Sequence, residues 1–255
     1  MSCARPGPKS QAECRFHNGR RPRLHRFVYK DKFNPNYAAM LESMDDGVGR
    51  VVKQLAENKL LDNTIIIFTS DNGGLGMAEL GPAPTNLEPL RKWKGHVYEG
   101  GIRVPLIFSW KGRIKDNLVT ENQVIGTDYF STFSEILGIT NQQNLPDGKS
   151  FYNVLLNPEK PFDRGPFYWH YPHSAIRKAR PGAAIRQGDF KLVEMYETGK
   201  TELFDLTKDM SETKDLSASN PAKAKELKAA LAAWRKEVNA NMPQRNPDYK
   251  KVAKK

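Results

Sequence analysis

Apolar residues recur every three or four positions in the stretch that follows Asn34. Asn34 can cap a helix, and Pro35 suits a first helical turn. The pattern therefore predicts a helix with one apolar face that ends near Asn58. The apolar positions are Leu41, Met44, Val48, Val51, Val52 and Leu55.

A short apolar run, Ile65–Phe68, follows this helix and predicts a buried strand over Thr64–Thr69. Asp71 and Asn72 come directly after the strand, and the pair Gly73-Gly74 allows a sharp turn. Open α/β sheets carry their sites at the carboxyl ends of strands. Two neighbouring oxygen donors suit a hard cation such as calcium or magnesium. The alternative is an ordinary turn, since Asp, Asn and Gly are common turn residues.

The remaining pattern predicts an α/β chain with a second, smaller sheet. A long loop covers residues 75–97, a strand covers Ile102–Trp110, and a strand or turn followed by a helix covers Val124–Leu137. Beyond residue 150, short apolar and aromatic runs predict a small antiparallel sheet, packed by a helix that opens at Pro221. The runs are Phe167–Tyr171, Ala183–Ile185, Phe190–Met195 and Glu202–Leu206.

Changes in composition and in the apolar pattern along the chain divide it into four segments. Residues 1–33 are expected to be irregular and basic, and residues 34–150 to form the larger α/β part. Residues 151–241 are expected to form the C-terminal subdomain, and residues 242–255 a basic tail.

The net charge of +11 looks at first like that of a nucleic-acid-binding protein. Residues 1–32 and 222–255 each carry +7, however, and residues 33–221 carry −3. Because the excess lies at the two ends and no nucleic-acid-binding motif accompanies it, we expect no nucleic-acid partner. The sequence has no apolar run long enough for a membrane span, and its first residues lack the apolar core of a signal peptide. Its two cysteines indicate no disulfide framework.

Two segments together resemble a known family. Ser70–Gly73 reads SDNG after a strand, and Lys94–Pro105 reads KGHVYEGGIRVP after a loop. This combination resembles the type I sulfatases of the alkaline-phosphatase superfamily. The resemblance covers about Asn34 to Trp234, and it includes Ala184–Leu192 and Glu202–Leu206 as the family's C-terminal subdomain. It implies a partial alkaline-phosphatase-like sheet with flanking helices, and hydrolysis of sulfuric esters such as aryl sulfates.

The resemblance also implies roles for single residues. Asp71 and Asn72 would be calcium ligands, and Lys94 would be catalytic, because an ammonium can stabilise charge on the sulfate oxygens in the transition state. The implied substrate is a sulfated small molecule or glycan. Zinc phosphatases and phosphodiesterases of the same superfamily place His after the strand-end Asp, so Asn72 favours the sulfatase alternative over these relatives. Glu99 and Arg103 are expected to hold the loop together.

Three histidines remain candidates for substrate binding. His96 falls where the family pattern varies, so it either contacts the substrate or packs. His170 and His173 lie in an aromatic stretch that suits a sugar or aryl group and a proton donor. The alternative for both is a strand with internally satisfied histidines.

The nucleophile of the family is not found in this sequence. Type I sulfatases use a formylglycine made from Cys or Ser in the pattern Cys/Ser-x-Pro/Ala-x-Arg, and neither Cys3 nor Cys14 stands in it. The first two calcium-binding Asp residues of the family are not matched either. We therefore expect a C-terminal portion of a sulfatase with an unrelated start, produced by truncation, a misplaced start or a frameshift.

Such a portion would be inactive alone, with an incomplete calcium site. The alternatives are a non-catalytic remnant that binds sulfated glycans, and a related phosphatase or phosphodiesterase. Family members are usually exported, periplasmic, extracellular or lysosomal, but the location of this chain is not predicted.

Overall fold

The computed structural model describes residues 35–76, 85–139, 147–173 and 180–244, together with two short strands near the N-terminus. Those strands, β1 (Ser2–Cys3) and β2 (Cys14–Arg15), pair antiparallel. The sequence predicted irregular structure here, and these four residues differ from that prediction. The tail after residue 244 lies outside the described residues.

The predicted first helix is confirmed as α1 (Pro35–Glu57). Its apolar face is not buried as the pattern suggested: no residue of α1 is buried, and Met40, Met44 and Val51 are largely exposed. A 3-10 turn, Leu61–Asn63, follows it.

The other elements alternate between short strands and helices. The strands are β3 (Ile66–Thr69), β4 (Leu106–Ser109), β5 (Phe167–Tyr171), β6 (Gly182–Gln187), β7 (Phe190–Met195) and β8 (Thr201–Asp205). The helices are α2 (Glu99–Ile102), α3 (Asp128–Ile136), α4 (Tyr152–Leu156) and α5 (Pro221–Glu237). None of the described helices has the length and apolar character needed to cross a bilayer.

Contacts within the chain divide it into two compact units. The first contains α1, β3, β4, α3 and α4. The second contains residues 72–76, residues 86–103 with α2, and the four-stranded sheet with α5. A stretch taken from the middle of the sequence therefore packs with the C-terminal sheet.

In the first unit, β3 and β4 pair antiparallel, with Thr69 opposite Leu106. Ile66, Ile67 and Phe68 are half-buried, so the strand is less buried than the sequence predicted. Within the described residues β3 pairs with β4 alone, which leaves its other side less covered. The second strand begins later than predicted because Ile102 belongs to α2.

Asp128 organises the helical side of this unit. Its carboxylate is fully buried, accepts hydrogen bonds from the backbone of Ile125 and Lys149, and pairs with Arg164 at 2.7 Å. Asp128 is the first residue of α3, and its side chain does not cap the helix. Its partners Ile125, Lys149 and Arg164 all lie outside α3, so the carboxylate connects the helix to the segments before and after it.

The second unit is built on the predicted antiparallel sheet, in the order β5-β6-β7-β8. Successive side chains point to opposite faces, so the sheet has two apolar clusters. One face packs against Leu227 and Leu231 of α5, and the other packs against Val97 and Tyr98. The strands are thus covered on both sides.

The start of α5 confirms the sequence signal. Asn220 caps the helix by accepting a hydrogen bond from the backbone N–H of Lys223 at 3.3 Å, and Pro221 occupies the first turn. Trp234 stacks on Tyr168 of β5 with ring centroids 4.7 Å apart. This contact joins the helix to the edge strand of the sheet.

Candidate functional site

The two motif segments meet in the second unit. The N–H of Gly73 donates to the carbonyl of Gly101 at 2.9 Å, and the N–H of Lys94 donates to the carbonyl of Gly74 at 3.0 Å. We call residues 91–103 the Lys94 loop. The segment that follows β3 is therefore bound, through its backbone, to the loop that carries Lys94.

Glycine is required where these backbones meet. A Cβ added to Gly73 would lie 1.8 Å from the carbonyl oxygen of Gly100, and one on Gly101 would lie 2.0 Å from that of His96. Because the obstructing atoms are backbone, no side-chain movement can relieve the clash. The Gly residues of the motif are thus explained by close backbone approach.

Lys94 is half-buried on this loop. Within the described part of the chain, no carboxylate forms an ion pair with its ammonium. Its neighbour Lys92 is exposed, has a left-handed backbone with φ of 66°, and places its ammonium 5.4 Å from the Trp93 ring centre. Lys94 is thus the less exposed of the two lysines.

Glu99 is buried and anchors one end of the loop. Its carboxylate lies 2.8 Å from the Lys191 ammonium and 3.7 Å from Arg103, so the predicted pairing with Arg103 is present but is not the shortest contact. The backbone N–H of Glu99 donates to the Glu212 carboxylate at 2.7 Å. Lys191 also pairs with Glu212 at 2.9 Å, which makes a fully buried charged cluster.

Tyr98 anchors the same end through its hydroxyl, which donates to the Glu202 carboxylate. Burial and this hydrogen bond raise the pKa of Tyr98 well above its usual value, so it stays a neutral donor. Burial alone would raise the pKa of Glu202, but hydrogen bonds from Tyr98 and Lys200, together with Arg91, outweigh it and hold the pKa below its usual value. Glu202 therefore stays ionised.

Sequence reasoning missed Lys191, Glu202 and Glu212. A signal for Lys191 exists in the sequence, because it stands between the apolar residues Phe190 and Leu192 of a predicted strand, and a charged side chain that such a strand buries needs a partner. The sequence does not identify that partner, because Glu99 lies 92 residues away along the chain.

His96 packs inside the Lys94 loop. Its ring meets that of Trp93 edge-on, with centroids 5.1 Å apart, and its Nε2 is buried without a hydrogen-bond partner among the described residues. Burial lowers the pKa of His96 from 6.5 to about 4, with further contributions from Lys92 and Arg91. The ring is therefore neutral at neutral pH.

This shift gives a testable pH dependence. The unfolded chain takes up a proton at His96 near pH 6.5, whereas the folded chain resists it until about pH 4. The stability that comes from burying His96 as a neutral ring is therefore fully present above pH 6.5, and it is lost as the pH falls towards 4. We expect His96→Gln to flatten the fall in melting temperature over this range.

Thermal melts of the wild type, His96→Gln and His173→Gln between pH 7 and 4 measure the effect. His173→Gln is the matched control, because its side chain is exposed. Equal slopes for the wild type and His96→Gln would contradict the assignment.

His170 and His173 differ in their surroundings. The Nδ1 of His170 lies 2.5 Å from the Tyr196 hydroxyl, and its Nε2 lies 2.8 Å from the carbonyl of Asn241. Both ring nitrogens of His170 therefore have partners within the chain, as in the alternative of an internally satisfied histidine. A substrate contact by His170 would have to replace one of these two bonds. His173 is exposed and meets the ring of Tyr171 edge-on at 5.7 Å.

The proposed calcium ligands follow β3 directly. Asp71 is exposed and Asn72 is half-buried. Both offer oxygen donors, which suits calcium, but calcium takes six to eight. Within the described ranges, no group of three His, Cys, Asp or Glu side chains comes together as a metal site. The two donors have the right chemistry but supply only part of a calcium site.

Two family models match the sequence. The model described as Sulfatase matches residues 8–139, and the model described as N-sulphoglucosamine sulphohydrolase, C-terminal, matches residues 92–239. Each covers more than half of the chain. The first begins at residue 8, so the match reaches into the segment that the sequence analysis took to be unrelated.

Individual relatives agree with these matches. A protein named Sulfatase from Formosa agariphila is 37% identical over 228 residues, which are 80% of this chain and 40% of the relative. An N-acetylglucosamine-6-O-sulfatase from Bacteroides thetaiotaomicron is 29% identical over 82% of this chain and 36% of the relative. The chain thus spans about two fifths of the length of these relatives.

Solved structures extend the comparison to the fold. Ps i-CgsB, solved in complex with k-i-k-neocarrahexaose, has a TM-score of 0.68 and 32% identity over 82% of this chain and 44% of its own. A structure solved in complex with its substrate D-glucosamine-2-N,6-O-disulfate has a TM-score of 0.65 and 28% identity over 80% of this chain and 40% of its own. Sequence, fold and loop motif therefore agree, and the chain belongs to the type I sulfatases of the alkaline-phosphatase superfamily.

Proposed function

We propose that this chain carries the sulfate-recognising part of a sulfuric ester hydrolase, and that Lys94 binds the sulfate group of a sulfated carbohydrate. The observation that carries the proposal is the backbone hydrogen bond from Lys94 to Gly74, which holds the motif lysine against the segment that follows Asn72. Among the described residues, no carboxylate forms an ion pair with its ammonium. The names of the relatives support a sulfated sugar: one is an N-acetylglucosamine-6-O-sulfatase, and one was solved with a disulfated glucosamine.

The chemistry of the reaction explains why a lysine is suited to this place. When a sulfate ester is cleaved, negative charge develops on the leaving oxygen while the sulfuryl oxygens already carry charge. An ammonium held close to these oxygens lowers the energy of the transition state more than that of the bound ester. The bonds that fix the loop before the ligand arrives reduce the reorganisation that binding would otherwise require.

The other groups of the family reaction fit this chain only in part. Formylglycine would supply the nucleophile, but its sequence motif is not found in the 255 residues, so we assign no nucleophile here. Asp71 and Asn72 would supply two of the six to eight oxygen ligands of calcium. We therefore propose that the chain binds sulfated sugars without hydrolysing them and has weak affinity for calcium on its own.

Binding measured by calorimetry tests the role of Lys94. The purified chain is titrated with D-glucosamine 6-sulfate and with D-glucosamine. A hydrogen bond to a charged group contributes about 1.5–3 kcal/mol, so Lys94→Met should weaken binding of the sulfated sugar by at least about tenfold. Lys92→Met is the matched control, since it removes the neighbouring exposed lysine. Equal affinities for the two sugars, or equal losses in the two variants, would refute the assignment.

A further inference from the structure

We infer that Lys191, Glu202 and Glu212 are positioning residues, which hold the Lys94 loop in the shape that binds sulfate. They touch neither the ligand nor Lys94 in this assignment and act through the two ends of the loop. The inference rests on the proposed function for its consequence in binding, but its structural part can be tested without a ligand.

The sheet presents its charged groups on the face that meets the loop. Side chains two positions apart on a strand share a face. Lys191 therefore shares the face of Val193, and Glu202 shares that of Phe204. Val193 and Phe204 belong to the cluster that packs on Val97 and Tyr98. The side chains of Lys191 and Glu202 thus lie on the face of the sheet that packs against the Lys94 loop.

The first attachment is at Glu99, where α2 begins. Lys191 is fully buried and lies 2.8 Å from Glu99 and 2.9 Å from Glu212. Glu212 also accepts the hydrogen bond from the backbone N–H of Glu99. Glu99 is therefore held by its side chain and by its main chain at once. Displacing one member of this group would leave a buried charge uncompensated, which is strongly destabilising, so the contacts resist rearrangement.

The second attachment is at Arg91, where the loop begins. Its guanidinium donates to the backbone carbonyl of Glu212 at 3.0 Å, lies 3.5 Å from the Glu202 carboxylate, and stands 4.1 Å over the ring of Tyr98. Tyr98 in turn donates to the same Glu202 carboxylate. Glu202 thus connects the start of the loop with a residue near its end.

Lys94 lies between these attachments. The carbonyl of Arg91 accepts from the N–H of Gly100 at 2.9 Å, which closes the loop at its base. With both ends fixed, the intervening residues have few conformations, and the bond from Lys94 to Gly74 selects among them. Supporting residues of this kind decide how precisely a binding group is held. Loss of an attachment should therefore loosen Lys94 before it unfolds the sheet.

Hydrogen exchange and binding on the whole chain test this inference. The variants are Glu202→Gln and Glu212→Gln, which keep the size of each side chain and remove its charge. The control is Leu231→Ala, which removes a buried side chain from the opposite face of the same sheet. We expect the Gln variants to speed exchange at the amides of Lys94 and Gly100 relative to that of Val193. Leu231→Ala should speed exchange in the sheet at least as much as in the loop.

Affinity for D-glucosamine 6-sulfate provides the second readout. We expect each Gln variant to weaken binding about tenfold, equivalent to about 1.4 kcal/mol, and Leu231→Ala to leave it unchanged at temperatures where the variant is folded. If the wild type does not bind the sugar, the proposed function fails and the exchange ratios still decide the inference. If the wild type binds through Lys94 but the Gln variants change neither exchange nor affinity, the inference is wrong.

Discussion

Replacing Lys191 by Met is expected to lower the free energy of unfolding of the second unit by about 3–5 kcal/mol, the usual cost of breaking a buried ion pair from one side. The ammonium is fully buried between Glu99 and Glu212. Met fills the same space but leaves the Glu212 carboxylate buried without its ion-pair partner, and leaves Glu99 only the longer contacts to Arg103 at 3.7 Å and Arg186 at 3.8 Å. Urea denaturation, followed by tryptophan fluorescence in a Trp110→Phe background so that only Trp93, Trp169 and Trp234 of the second unit report, measures the loss.

Two further variants separate this mechanism from a general sensitivity of the sheet. Lys200→Met removes an exposed lysine that pairs with Glu202 at 2.9 Å, and its effect should be far smaller because exposed pairs contribute little. Combining Lys191→Met with Glu212→Gln should restore part of the loss, since one uncompensated charge is removed. Losses of similar size for Lys191→Met and Lys200→Met would show that the buried cluster does not stabilise the fold.

Replacing Gly73 by Ala is expected to separate the two motif segments. The added methyl group would lie 1.8 Å from the carbonyl oxygen of Gly100, where the nearest obstructing atoms are backbone. One of the two backbones must move, and the bond from Gly73 to Gly101 is lost with it. Overpacking of this kind costs about 1–3 kcal/mol. Binding of D-glucosamine 6-sulfate should fall at least as far as it does in Lys94→Met.

Gly126→Ala is the matched control for this change. A Cβ on Gly126 meets no atom within 4 Å, and its backbone does not need the left-handed conformation. Its melting temperature should stay the same or rise slightly, because Ala restricts the unfolded chain. If Gly73→Ala melts and binds as Gly126→Ala does, the close backbone contact at Gly73 is not present in solution.

Local patterns predicted most of the helices and strands. The apolar spacing after Asn34 and the Asn220-Pro221 start signal each act within a few residues, and both helices lie where these patterns placed them. The four strands of the C-terminal sheet were predicted for the same reason. Burial was predicted less well: no residue of the apolar face of α1 is fully buried, because burial depends on which other elements cover the helix.

The candidate site was predicted from its motif and not from its contacts. The segment Lys94–Pro105 identified Lys94, and the family comparisons agree with that resemblance. The anchoring of the loop could not be predicted, because Glu99 and Lys191 are joined by a long-range contact with no local signature in the sequence. The short helix α2 was missed because its Gly100-Gly101 pair is typical of a turn, whereas here the glycines allow close backbone contact.

Sulfate release and sugar binding can both be measured on the same sample of the purified chain with calcium present. We expect D-glucosamine 6-sulfate to bind in a way that depends on Lys94, and no sulfate to be released above the buffer control. Release of sulfate by the chain alone would contradict the claim that it recognises the ester without carrying the nucleophile. Binding that is unchanged in Lys94→Met would contradict the claim that Lys94 is the residue that recognises it.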